Sequence, residues 1–342
     1  MRSGGNWCAT PRVRVLFFKI LSFAAISLCI TLVIAVGLIL SQRPGPLQPV
    51  EGGLNFDQTL ATNRVAPAAQ EPVKMRDGFD LHVRRYDADQ PDAPLLVLVH
   101  GSGWHGLQFD SLARQLSAQA DVLVPDLRGH GAKPGRRGDV DYIGQFEDDL
   151  ADLITAERKA GQKVILGGHS SGGGLVVRFA GGAHGALLDG AVLLAPFLKH
   201  NAPTTRPNSG GWAEPLLRRI IGLSMLNTFG ITALNHLTII QFHMPAAVLN
   251  GPLGDTATTA YSYRLNTSFA PRGDYLKDAA ALPPFLLIAG SADEAFFADQ
   301  YEPTLAGSTQ KGRYEIVPDL GHLDVVDAPQ TAKAIKEFLN DI

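Results

Sequence analysis

Residues 164–174 read Val164-Ile165-Leu166-Gly167-Gly168-His169-Ser170-Ser171-Gly172-Gly173-Gly174, and the fold is decided there. A short apolar run ending in glycine is the pattern of a strand buried on both faces. The small residues after it suit a helix that starts close against the sheet. Within the stretch, Gly168-His169-Ser170-Ser171-Gly172 matches Gly-x-Ser-x-Gly. A serine on a sharp strand-to-helix turn needs a strained backbone, and glycines two before and two after let the chain pass closely. Ser170 is therefore a candidate nucleophile. Because a hydroxyl is a weak nucleophile at neutral pH, it needs a base.

Similar apolar runs flank this one: Leu95–Val99, Val122–Val124, Ala191–Leu194 and Phe285–Ile288. Between several of them lie stretches of helical length. Phe109–Ala120 carries Leu112 and Leu116 on one side. Tyr142–Ala160 groups Phe146, Leu150, Leu153 and Ile154, with Glu147, Asp148, Asp149 and Asp152 largely opposite. Strand and helix in alternation imply an α/β domain with a mostly parallel, doubly wound sheet and right-handed crossovers. The domain is entered through a hairpin, because Asp77-Gly78 separates the alternating segments Val73–Arg76 and Phe79–Val83. Residues 198–282 break the alternation over a length too great for a plain loop. They read as an inserted helical cap, with Leu216–Phe229 and Ile231–Ile240 as its helices. The core is then 71–197 with 283–342.

Candidate partners for Ser170 lie at the ends of later strands. Phe285–Ile288 runs into Ala289-Gly290-Ser291-Ala292-Asp293, and Tyr314–Val317 is followed by Leu320-Gly321-His322. Open α/β sheets gather their sites beyond strand carboxyl ends. His322 is the expected general base, and Asp293 the carboxylate that orients it. Asp293 could also serve as a helix cap, and Glu294 is an adjacent rival. Developing negative charge needs two backbone N–H donors. Ser171, after the nucleophile, should supply one, and Ser102 in His100-Gly101-Ser102-Gly103-Trp104 the other. Trp104 and His169, beside these groups, are expected to contact substrate. Gly101, Gly103 and Gly106 also spell Gly-x-Gly-x-x-Gly, but the preceding His100 and hairpin speak against a dinucleotide site, which would have to use Asp126.

Composition sets the limits. The chain of 342 residues is 45% hydrophobic and 18% charged, as globular proteins are, and its net charge of −3 offers no basic face for nucleic acid. The two cysteines, Cys8 and Cys29, both precede the globular region, so no disulfide or cysteine-based metal site is expected within it. From Ile20 to Leu40 there is neither charge nor proline, a length that can cross a bilayer. A cleaved signal usually has a shorter apolar core, so an uncleaved single-pass anchor is expected. Arg2, Arg12, Arg14 and Lys19 precede it with no acid among them. The positive-inside rule then leaves residues 1–19 cytoplasmic and carries the rest across the membrane, into the periplasm if the source is bacterial. Residues 41–70, rich in proline and glycine, read as a linker.

Taken together, His100-Gly101-Ser102-Gly103, Pro125-Asp126-Leu127-Arg128-Gly129-His130-Gly131, Gly168-His169-Ser170-Ser171-Gly172, Gly290-Ser291-Ala292-Asp293 and Gly321-His322 resemble the α/β-hydrolase superfamily. The similarity is to its lysophospholipase and monoacylglycerol-lipase-like group, often classed with S33 serine aminopeptidases, and covers about residues 72–340. It implies Ser170, Asp293 and His322 as a triad, Ser102 and Ser171 as oxyanion donors, and hydrolysis of a small hydrophobic carboxylic ester without metal or cofactor. Two positions depart from the group. Ser171 stands where methionine is frequent, and Lys133 follows Gly129-His130-Gly131-Ala132 where a serine is usual. An aminopeptidase would need an acid in the cap, for which Glu214 and Asp255 are candidates. A non-catalytic binding protein on the same scaffold is the remaining alternative.

Overall fold

The computed structural model describes residues 11–47, 54–56 and 66–342. The chain forms two compact units, Met1–Pro44 with Leu216–Asn235, and Gly45–Pro215 with His236–Ile342.

The larger unit is built on eight strands of the expected kind. They are β1 (Gln70–Lys74), β2 (Asp80–Tyr86), β3 (Leu95–Val99), β4 (Asp121–Asp126), β5 (Val164–His169), β6 (Gly190–Leu194), β10 (Phe285–Gly290) and β11 (Gly312–Val317). Their spatial order is β1-β2-β4-β3-β5-β6-β10-β11. The hairpin pairs β1 and β2 antiparallel around Asp77-Gly78, with Lys74 opposite Asp80. From β4 through β11 every pairing is parallel. Every residue of β3, β4, β5, β6 and β10 is buried, which is why their sequences run apolar rather than alternating. Each fully buried Leu, Val or Ile in these runs contributes about 1.5–3 kcal/mol.

Two helices are shorter than their sequence patterns. The Phe109–Ala120 stretch is helical over Asp110–Leu116, because the chain must reverse in time for Asp121 N–H to bond Pro94 C=O at the start of β4. Tyr142–Ala160 is helical over Gln145–Glu157, and its acids do not all face water. Glu147 and Asp149 are buried, and Arg178 and Arg128 respectively compensate them.

The insert departs further from expectation. Residues Ile231–Ile240 do not form a helix. Thr238–Phe242 is a strand (β8) between β7 (Ala213–Pro215) and β9 (Ala260–Ser262) in a second, antiparallel sheet. The β-branched Thr238, Ile239 and Ile240 suit a pleated surface, and distant segments supply their ladder partners.

In the smaller unit a helix runs from Pro11 to Leu40, and its Arg14–Leu40 portion is long and apolar enough to cross a membrane. It begins nine residues before the expected span. The helix Leu217–Thr228 packs on its final turns, where Ala35 and Ile39 are buried. Gly222 permits that approach, since a Cβ there would come within 2.6 Å of Ala35 O and 2.7 Å of Ile39 Cγ1. Cys29 is an exposed free thiol, whereas Cys8 lies outside the described residues.

Candidate active site

Ser170 sits where β5 turns into the helix Ser171–Ala180, with φ 55° and ψ −120°. That backbone is costly for a residue with a Cβ, by about 1–3 kcal/mol. Three hydrogen bonds hold it: Ser170 N–H to Leu194 O at 2.9 Å, and Gly174 N–H and Phe197 N–H to Ser170 O at 3.0 and 2.9 Å. The flanking glycines are required by close approach. A Cβ on Gly168 would collide with the Gly172 backbone, and one on Gly172 with the carbonyl oxygen of Val99.

The end of β10 delivers Asp293, and the loop after β11 delivers His322. Nδ1 of His322 is 2.9 Å from Asp293 Oδ2, with both side chains almost wholly buried, 1% and 0% exposed. Asp293 Oδ1 accepts from the N–H groups of Ala295 and Phe296, each at 2.8 Å. Burial pushes this carboxyl upward, but the adjacent His322 and those two N–H donors outweigh it, so Asp293 is held below its ordinary range. The rival Glu294 does something else. Its Oε2 accepts the backbone N–H of His322 at 2.7 Å and so pins the loop. Neither Nε2 of His322 nor Oγ of Ser170 has a hydrogen-bond partner among the described residues, and both side chains line the same cavity.

Ser102 and Ser171 meet at that cavity too, and neither backbone N–H donates a hydrogen bond among the described residues. Ser171 opens a ten-residue helix, whose N-terminus favours negative charge. The Ser102 N–H belongs to the peptide unit whose carbonyl is Gly101 O, and that oxygen accepts from His100 Nδ1 at 2.8 Å. His100 Nε2 in turn accepts from Leu127 N–H at 3.1 Å. The ring is thereby set as a neutral tautomer, and burial lowers its pKa.

His169 lines the cavity, but both its ring nitrogens are engaged. Nε2 donates to His322 O at 2.9 Å and Nδ1 accepts from Gln108 Nε2 at 2.7 Å. Burial and the neighbouring His322 lower its pKa to about 3. It therefore stays neutral and supports the His322 loop. Trp104 forms cavity wall and stacks on His105 at 4.6 Å.

Of the apolar insert residues, Trp212 and Phe242 line the cavity, whereas Leu217 and Phe229 are exposed. Glu214 and Asp255 are not among the lining residues; Glu214 stands 3.5 Å from His243. Asp327 is the carboxylate in the wall. Four contributors were missed from sequence. Gln108 ties Gly101 N–H (3.2 Å) to His169, and no local pattern marks it. Leu54 and Phe56, assigned to a linker, enter the cavity instead, with Phe56 set 6.3 Å from Trp104 and 5.9 Å from Trp212. The fourth, Tyr261, lines the cavity from β9.

Known proteins resemble this chain in sequence and fold. The family model described as serine aminopeptidase, S33, matches residues 90–323. Human monoglyceride lipase is 30% identical over 155 residues, which cover 44% of this chain and 49% of that protein. A monoacylglycerol lipase from Mycolicibacterium smegmatis is 36% identical over 106 residues, covering 29% of this chain and 36% of that protein. The chain thus spans half or less of the length of these curated relatives. A soluble variant of monoglyceride lipase from Saccharomyces cerevisiae, solved with a substrate analogue, superposes with a TM-score of 0.62 at 18% identity, covering 88% of this chain and 98% of that one. With the parallel sheet, the strained serine turn and a family match across residues 90–323, the chain belongs to the S33 serine aminopeptidase family of α/β hydrolases.

Proposed function

We propose that this chain is a serine hydrolase that cleaves carboxylic esters of hydrophobic acyl groups through an acyl-enzyme on Ser170. The observation that carries this reading is the convergence of strained Ser170, the buried His322–Asp293 pair and two uncommitted backbone N–H groups on one largely apolar cavity. Ser170 Oγ attacks the ester carbonyl carbon while His322 Nε2 takes the hydroxyl proton. These atoms come into hydrogen-bond range as substrate binds, since such contacts often tighten only in the complex. The carbonyl electron pair moves to oxygen, where Ser102 and Ser171 N–H hold the charge. The tetrahedral species collapses, the C–O bond breaks, and the leaving oxygen takes the proton from His322. Water, deprotonated by His322, then attacks the acyl carbon; the acid departs and Ser170 regains its proton. Asp293 remains ionised throughout and stabilises the imidazolium.

Phe242, Phe269, Phe296 and Trp212 around Ser170 favour an apolar acyl group. Similarity to monoglyceride lipases is in keeping with a glyceryl or lysophospholipid-like ester. Asp327 in the cavity wall supports a second reading, an aminopeptidase that holds a substrate amine. The helix Pro11–Leu40 supports an uncleaved anchor, with the basic N-terminus cytoplasmic and the hydrolase unit on the far side. One experiment addresses all three. A fluorophosphonate probe is applied to carbonate-washed membranes, followed by assays on p-nitrophenyl esters and aminoacyl anilides. The expected result is a membrane-retained band labelled at Ser170, lost in Ser170→Ala, with turnover of esters. Labelling that survives in Ser170→Ala refutes the nucleophile, anilide-only turnover selects the peptidase, and release by carbonate refutes the anchor.

A further inference from the structure

The oxyanion loop is held from two sides, and only one of them belongs to the hydrolase core. On the core side, His100 Nδ1–H bonds Gly101 O and Gln108 Oε1 accepts Gly101 N–H. On the other side, both polar backbone groups of Gly103, which has φ +78°, are bound by residues 258–261 of the insert. Gly103 O accepts from Thr258 N–H at 2.9 Å, and Gly103 N–H donates to the Tyr261 hydroxyl at 2.6 Å. The hydroxyl donates a hydrogen bond to His130 Nε2 at 2.7 Å, while His130 Nδ1–H donates to Arg128 O at 3.1 Å. The phenol accepts one bond and donates one, so its orientation has no slack. Tyr261 is 1% exposed, and Phe242 and His130 close on its ring edge-on, with centroids 4.7 and 5.2 Å away. Pairing of β9 with β8 sets its place, with Tyr261 opposite Ile240.

We propose that Tyr261 is a positioning residue for the oxyanion hole: its hydroxyl fixes the Ser102–Gly103 peptide and so keeps the Ser102 N–H aimed at the reacting carbonyl oxygen. This rests on Ser102 and Ser171 being the oxyanion donors. The reasoning is geometric. The Ser102 N–H lies one residue from the bound Gly103 N–H, and a glycine in the left-handed region has no side chain to restrain its flanking peptides. Without the hydroxyl, Gly103 N–H and His130 Nε2 are left buried and unpaired, and the loop gains a reason to rotate. Burial keeps the phenol protonated and His130 neutral, so the arrangement persists across the working pH range. The insert that shapes the acyl cavity therefore also tunes the charge-stabilising donor.

The test compares an oxo-ester with its thionoester, because sulfur is larger and accepts hydrogen bonds poorly, so a well-aimed donor favours the oxo-ester. Rates are measured on full-length protein in detergent and normalised to the folded fraction by circular dichroism. Tyr261→Phe is expected to lower kcat for the oxo-ester by about 10–100-fold, less than the 10²–10³ of deleting a donor outright. KM should move little and the oxo/thiono rate ratio should shrink. His130→Ala, which keeps the hydroxyl but removes its acceptor, should give an intermediate ratio and decides the matter alone if Tyr261→Phe does not fold. Equal loss on both esters, or an unchanged ratio in the folded variant, overturns the proposal. Activity that survives in Ser170→Ala marks failure of the nucleophile assignment instead, and a wild-type ratio near one marks failure of the oxyanion donors and of this proposal with them.

Discussion

Asp293 and Glu294 are neighbouring carboxylates at the end of β10, and one torsional step along the chain gives them different tasks. Asp293 meets the imidazole Nδ1, while Glu294 meets the backbone N–H of the same histidine. Asp293→Asn should preserve the shape but favour the wrong imidazole tautomer, lowering kcat by about 10³–10⁴ with KM nearly unchanged. Glu294→Gln keeps an oxygen that can accept the His322 N–H and should retain most activity. Steady-state kinetics on a p-nitrophenyl ester check both, and the opposite ranking would exchange their roles. At this scale the sequence singles out Ser170, Asp293 and His322 as candidates, because each is marked by local context: a glycine spacing or the end of an apolar strand. Gln108 and Tyr261 are not singled out. Their polar atoms tie together segments 61 and 158 positions apart along the chain.

Elements were read well where burial on both faces made the pattern continuous, as in β3, β5, β6 and β10. They were misread where tertiary partners override local preference. Thr238–Phe242 has enough apolar character for either helix or strand, and β7 and β9 settle it as a strand. The proline-rich segment after the anchor is another case. Composition suits a linker, yet Phe56 is 6% exposed and packs between Trp104 and Trp212 in the cavity wall. Phe56→Ala removes that wall, so relative kcat/KM should shift toward longer acyl chains across a C4 to C16 ester series. An unchanged chain-length profile would show that the ring does not limit the cavity.

The whole larger unit carries four buried histidines whose pKa values are lowered by burial: His100, His130, His105 at about 4 and His169 at about 3. The unfolded chain binds protons at these positions as pH falls through about 6.5, whereas the fold does so only at lower pH. The stabilisation is thus complete above about pH 7 and is lost on acidification below about 6.5, for His105 and His169 down to about 4 and about 3. Each such histidine contributes about 1.4 kcal/mol per pH unit within its window. The urea midpoint, followed by tryptophan fluorescence in detergent, should fall between pH 7.5 and pH 5, before the carboxylates with lowered pKa values begin to titrate. A constant midpoint over that interval would show that these rings accept protons in place.

Local sequence alone determined the buried strands, the serine turn, a histidine and a carboxylate at the ends of later strands and an apolar helix near the N-terminus, because each depends on burial pattern or backbone strain within a few residues. Tertiary structure alone decided which of two adjacent acids meets the imidazole, that Phe56 enters the cavity and that the Tyr261 hydroxyl holds Gly103 N–H. Those outcomes depend on distances between segments far apart in the chain, and a hydrogen bond, unlike hydrophobic periodicity, leaves no repeat along the sequence to be read.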